Sequence, residues 1–240
     1  MRNETFEQTA YETVDVGLRS YMQKIYSYMA AGLCLTALSA WIVANTSLLG
    51  LFFNFSPDGY VSMSAFGWIA FIAPLIMVFA FSWVVSRGTL AQTQLLFWAY
   101  AAVMGISLTP ICLIYTGSSL TRVFLITAGA FGGLSLYGYT TKRNLSALGS
   151  FLYMGLIGLI IAMIVNIFLK SSGLDWALSI LGVGIFSGLT AYDTQALRLI
   201  YHPADSEEIS SKKAISGALQ LYLDFINLFL YLLRFMGDRR

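Results

Sequence analysis

Long stretches of this chain carry no formal charge. No Asp, Glu, Lys or Arg occurs from Ile25 to Pro57, from Gly59 to Ser86, from Gly88 to Thr121 or from Asn144 to Leu169. A bilayer crossing takes about 20 apolar residues at roughly 1.5 Å of rise each, so every one of these stretches is long enough to span. Composition agrees, with 58% of the 240 residues hydrophobic and 11% charged, against roughly a quarter charged in a soluble domain. The chain reads as an all-α integral membrane protein with the lipid bilayer as its first partner. Fourteen Lys and Arg against twelve Asp and Glu leave a net charge of +2, too even a balance to suggest a nucleic-acid partner. No water-soluble domain of useful size remains outside the spans.

Hydropathy places seven helices, at Ile25 to Thr46, Ala65 to Val85, Thr93 to Tyr115, Leu120 to Tyr139, Leu148 to Phe168, Trp176 to Ile200 and Ala214 to Phe235. They form one transmembrane domain over residues 25–237. Residues 1–24 are polar and mixed in sign, unlike the basic start of a cleavable signal peptide, and read as a retained tail. Lys and Arg are unevenly divided between the loops. Arg2, Arg19, Lys24, Arg87, Lys142, Arg143, Arg198, Lys212 and Lys213 fall on the side of the N-terminus, and Arg122, Lys170, Arg234, Arg239 and Arg240 on the other. The positive-inside rule then expects a cytoplasmic N-terminus. The basic C-terminal residues would prefer the cytoplasm too, which leaves open a last helix that re-enters and returns. Gly129 with Gly133 and Gly184 with Gly188 are candidate helix contacts at four-residue spacing. Pro110 should kink the third helix, with the Thr109 hydroxyl able to compensate. Cys34 and Cys112 lie in apolar spans, where a disulfide is not expected, and the single histidine, His202, allows no His-based metal site.

Two acidic residues stand deep inside helices, Asp193 and Asp224. At the centre of a span each costs about 2.5 to 3.5 kcal/mol on insertion scales, which makes each a functional candidate. Counted from Tyr201 and Lys213, the two lie roughly 12 and 16 Å from the same membrane face. In the seventh helix Ser216, Gln220, Asp224, Asn227, Tyr231 and Arg234 follow one another in steps of three and four and draw one polar stripe, expected to face the interior. Ser187, Thr190 and Thr194 give Asp193 a weaker polar side. Neither aspartate has a basic residue three or four positions ahead. Two carboxyls in a low-dielectric site cannot both ionise cheaply, so a shared proton and a response to pH are expected. The alternative is that each carboxyl caps a broken helix or pairs privately with a cation.

The stretch Ala218-Leu219-Gln220-Leu221-Tyr222-Leu223-Asp224-Phe225-Ile226-Asn227-Leu228-Phe229, with Leu232-Leu233-Arg234-Phe235 and Gly237, resembles the signature of the Bax inhibitor family, the transmembrane Bax inhibitor motif proteins. Ala191-Tyr192-Asp193 with Gln195, and Gly105-Ile106-Ser107-Leu108-Thr109-Pro110-Ile111, are similar to further motifs of that family. The resemblance implies a seven-helix bundle with the last helix central, enclosed by the other six. For a bacterial-type member it implies the inner (plasma) membrane and a pH-sensitive calcium leak, with calcium the permeant ion and no cofactor. It implies that Asp193 and Asp224 form the pH sensor and gate, and that Arg87 helps hold the closed state. Calcium wants six to eight oxygens at about 2.3 to 2.6 Å. Asp193 and Asp224 with Asn227, Tyr222, Thr194, carbonyls and water would give only a loose, transient site, with Gln220 joining Asn227, Tyr222 and Thr194 as polar lining of an ion path. Loose binding suits conduction, because an ion must leave as well as enter.

Two other classes compete. Paired aspartates on adjacent helices also occur in intramembrane aspartyl proteases, but the Gly-x-Gly-Asp pattern of those enzymes is replaced here by Leu221-Tyr222-Leu223 before Asp224, so no enzyme is expected. The polar N-terminal segment would instead suit an interaction protein that modulates a membrane protease or another membrane protein without conducting ions.

Overall fold

A computed structural model describes residues 2–55 and 61–240. Its elements, in chain order, are α1 (Arg2–Asn45), α2 (Leu49–Phe52), β1 (Phe53–Phe55), β2 (Val61–Met63), α3 (Ala65–Arg87), α4 (Leu90–Ile114), α5 (Gly117–Thr140), α6 (Ser146–Leu169), α7 (Ser172–Ile200) and α8 (Glu207–Met236). Among the described residues, seven helices are long and apolar enough to cross a membrane: Val16–Asn45 within α1, and each of α3 to α8. Every span expected from hydropathy is present, and most run on by a few residues at their ends.

Two differences have plain physical reasons. Residues 2–24, read as a tail, are helical and continue unbroken into the first span. Between Arg2 and Asn45 there is no proline, so nothing in the backbone stops the helix once its apolar part has nucleated. The hairpin of β1 and β2, with Phe53 opposite Met63, was not expected, since three-residue strands leave no alternation to read. It precedes a capped helix start, where Ser64 Oγ accepts from Gly67 N–H at 3.0 Å. Residues 56–60, among them the Pro57 and Asp58 that bound the first charge-free stretch, lie outside the described residues.

The chain divides into two compact units, Met1–Ile114 with Tyr201–Leu219, and Tyr115–Ile200 with Gln220–Arg240. In the first, α4 packs on both α1 and α3. A Cβ at Gly105 would run into the Thr36 carbonyl, so glycine there lets α1 and α4 meet backbone to backbone. Thr36 Oγ1 then donates to Ala101 O at 2.8 Å and Ser39 Oγ to Ala102 O at 3.0 Å. In the second unit α7 is flanked by α5 and α6. Gly138 of α5 sits against the Ala191 carbonyl and Gly149 of α6 against the Tyr192 ring.

These glycines are not the pairs picked out by spacing. A side chain at Gly129, Gly133 or Gly184 would meet nothing within 4 Å, and only Gly188 touches a neighbour, Leu152 of α6. Four-residue spacing marks a face without saying what covers it. Thr109 Oγ1 donates to Gly105 O at 3.4 Å rather than to the Ile106 carbonyl that Pro110 leaves free. Neither Cys34 nor Cys112 forms a disulfide among the described residues.

The last helix is the most enclosed. In α8, 67% of the most apolar stretch is buried, against 11% in α3 and in α6, whose exposed Phe, Trp, Ile and Leu side chains suit a lipid surface. Its second half runs antiparallel to α7. Tyr231 stacks on Phe186 with ring centroids 5.7 Å apart, and Arg234 reaches Asp175, in the first turn of α7, at 3.3 Å. Beyond it Asp238 pairs with Arg122 at 2.7 Å near the start of α5. The second half of α8 thus follows α7 back to the first turn of that helix.

Candidate functional site

The second unit brings the two aspartates together. Close approach at Gly138 and Gly149 fixes α5 and α6 against residues 191 and 192 of α7. Asp193 is the next residue, and it is 2% exposed. One turn into α6 from Gly149, Tyr153 packs edge-on against Tyr192 and donates its hydroxyl to Asp193 Oδ1 at 3.3 Å. From α8, the Asp224 carboxyl and the Gln220 side chain also approach the Asp193 carboxyl.

Asp224 is 5% exposed, and its Oδ2 is fully buried with no hydrogen-bond partner. Beside it Phe225 packs against Phe124 and Phe131 of α5, at 5.4 and 5.5 Å between ring centroids. An ionised Asp224 would leave that buried oxygen unsatisfied.

Other residues expected at the site fall elsewhere. Thr194 turns to α5, where its Oγ1 lies 2.8 Å from Ser135 Oγ, and it donates to Thr190 O at 2.8 Å. Asn227 donates to Leu223 O of its own helix at 2.8 Å. Tyr222 is completely buried, but two residues from Asp224 is about 200° around a helix, so it stands on the opposite face. The stripe itself is less distinct than its spacing suggests. Asp224 and Tyr231 are buried, Ser216, Gln220 and Asn227 are half-buried, Arg234 is exposed, and apolar Leu221, Ile226 and Leu228 are buried as fully. Arg87 ends α3 in the first unit with its side chain exposed. Among the described residues no three His, Cys, Asp or Glu side chains gather into a metal site. Tyr153 went unnoticed in the sequence. The one available signal was a tyrosine hydroxyl inside an apolar span, which needs a partner.

Gln195 holds the turn that follows α5. Its side-chain carbonyl accepts from Leu145 N–H at 2.9 Å and its amide donates to Arg143 O at 2.8 Å. Arg198 lies over the Tyr139 ring and donates to the Tyr139 carbonyl. Two residues past Asp193, these bonds lock the C-terminal end of α7 to the α5 and α6 junction.

A family model described as Inhibitor of apoptosis-promoting Bax1 matches residues 18–240. The chain belongs to the Bax inhibitor family. Among its bacterial relatives is a protein of Rickettsia prowazekii, 47% identical over 229 residues, covering 95% of this chain and 94% of that protein. The inner membrane protein YbhL of Escherichia coli K12 is 45% identical over 228 residues, covering 93% and 94%. A membrane protein of Streptococcus pyogenes is 34% identical over 234 residues, covering 96% and 98%. These matches span nearly the whole of this Bax inhibitor family chain.

Proposed function

We propose that this multi-pass membrane protein is a pH-sensitive calcium leak, gated by Asp193 and Asp224, with Arg87 helping to hold the closed state. It is not an enzyme on this reading. The observation that carries it is the buried Asp224 Oδ2 without a partner, on a carboxyl already in contact with Asp193. Such an oxygen is satisfied by a proton on the pair or by a cation, so protons and calcium compete for one position. With a proton shared, the carboxyls hold α7 and α8 together. Loss of that proton places two like charges a few Å apart, a repulsion of about 4 kcal/mol at 4 Å and an effective dielectric near 20. The closed contact weakens as pH rises, and separation of the carboxyls or entry of a cation relieves the repulsion. The E. coli relative, named an inner membrane protein, supports an inner-membrane location, and the charge bias of the loops supports a cytoplasmic N-terminus.

Flux from liposomes holding the purified protein tests the reading. Calcium should leak faster than sodium or potassium, and faster at alkaline than at acidic pH. Equal flux with and without protein at both pH values would leave the interaction-protein alternative as the better one.

A further inference from the structure

Where α3 turns into α4, a groove of about 540 Å³ opens between the two helices of the first unit. Trp83, Val84, Leu95 and Ala99 line its length, and Arg87 and Gln92 stand at its polar end. Trp83 and Leu95 are exposed, on helices that span the membrane, so the medium along this wall is lipid. Among the described residues Arg87 forms no ion pair. Neither α3 nor α4 offers it one, because no acidic residue occurs from Gly59 to Leu174. A second cation reaches the same turn: Lys212 Nζ donates to the Gly88 carbonyl at 2.6 Å, with Glu208 at 3.0 Å as its acid. The Gln92 side-chain carbonyl accepts from Thr89 N–H at 2.8 Å, which directs its amide N–H groups away from that bond.

The pattern is one anionic head and one apolar tail. A guanidinium presents two parallel N–H groups to a phosphate, and basic pockets at the ends of spans are where anionic head groups bind. The apolar walls of the groove run from that point into the spanning part of the helices, where a phospholipid has an acyl chain and a free anion has nothing. We propose that this groove binds an anionic phospholipid, its phosphate on Arg87 beside Lys212 and an acyl chain along Trp83, Leu95 and Ala99. The positive-inside orientation would place this site in the cytoplasmic leaflet, which carries the more negative surface potential.

The site is tested by lipid binding, without reference to ion flux. Detergent-purified protein is titrated with phosphatidylglycerol, phosphatidylcholine or inorganic phosphate, and both melting temperature and lipid retention in native mass spectrometry are read. Phosphatidylglycerol should raise the melting temperature and stay bound, whereas phosphatidylcholine and inorganic phosphate should do neither. Arg87→Gln should weaken retention of phosphatidylglycerol about tenfold, the value of one charge-assisted contact, and Arg87→Lys should fall between the two. Lys142→Gln, which removes an exposed cation from the loop after α5, should leave retention unchanged. Equal retention in Arg87→Gln, an equal loss in Lys142→Gln, or an equal effect of phosphatidylcholine or inorganic phosphate would overturn the proposal. Arg87 is exposed, so its replacement leaves the packing of the protein intact.

Discussion

Tyr153 shows what a single hydroxyl can contribute. Donation to Asp193 Oδ1 at 3.3 Å favours a charge on Asp193, so Tyr153→Phe removes a donor from the charged form. The pH midpoint of calcium leak should then move alkaline of the wild type. A profile identical to the wild type would show that Tyr153 is only a packing residue. Gln195 is the structural counterpart. Gln195→Ala leaves the buried Leu145 N–H without its partner and should cost about 1 to 3 kcal/mol of stability, read as earlier thermal unfolding in detergent. Both aspartates were legible in the sequence, because a carboxyl inside an apolar span is too costly to be incidental. Their contact with Tyr153 was not, since it depends on which residue of α6 faces Asp193, and a helix as apolar as Ser146–Leu169 has no stripe to set that face.

At the scale of elements, the helices were legible to within a few residues wherever hydropathy controlled them, as in α3, α5 and α6. Hydropathy failed at α1, where the helix extends over a polar segment, and at α8, where the apolar run begins at Ala214 but the helix begins at Glu207. Helix propensity and the absence of proline decide those ends, and neither leaves a mark in an apolar window. Contacts between helices were less legible still. Gly105 and Gly138 matter because a backbone carbonyl lies against each, while Gly129 and Gly133 face open space. Gly138→Val should push α5 off the Ala191 carbonyl and disturb the next turns of α7, lowering thermal stability and flattening the pH response together. Gly129→Val should do neither, apart from the modest gain in helix propensity over glycine. Equal effects at the two positions would contradict the assigned contacts.

At the scale of the whole molecule, two membership claims rest on different grounds. Place in the Bax inhibitor family follows from a match over residues 18–240. The proposed cytoplasmic N-terminus rests on loop charge alone, and single cysteines at Ser146 or Ser210 should resist labelling by an impermeant reagent applied outside the cell; strong labelling at either would invert the topology. The proposed gating depends on the aspartate pair, and replacing one carboxyl by its amide keeps shape and hydrogen bonding while removing the possibility of two like charges. The most direct test is therefore the pH profile of calcium leak from liposomes carrying Asp193→Asn or Asp224→Asn beside the wild type. Paired-carboxyl gating requires leak that rises with pH in the wild type and stays at its acidic level across the range in both variants. Variants that reproduce the wild-type rise would contradict it.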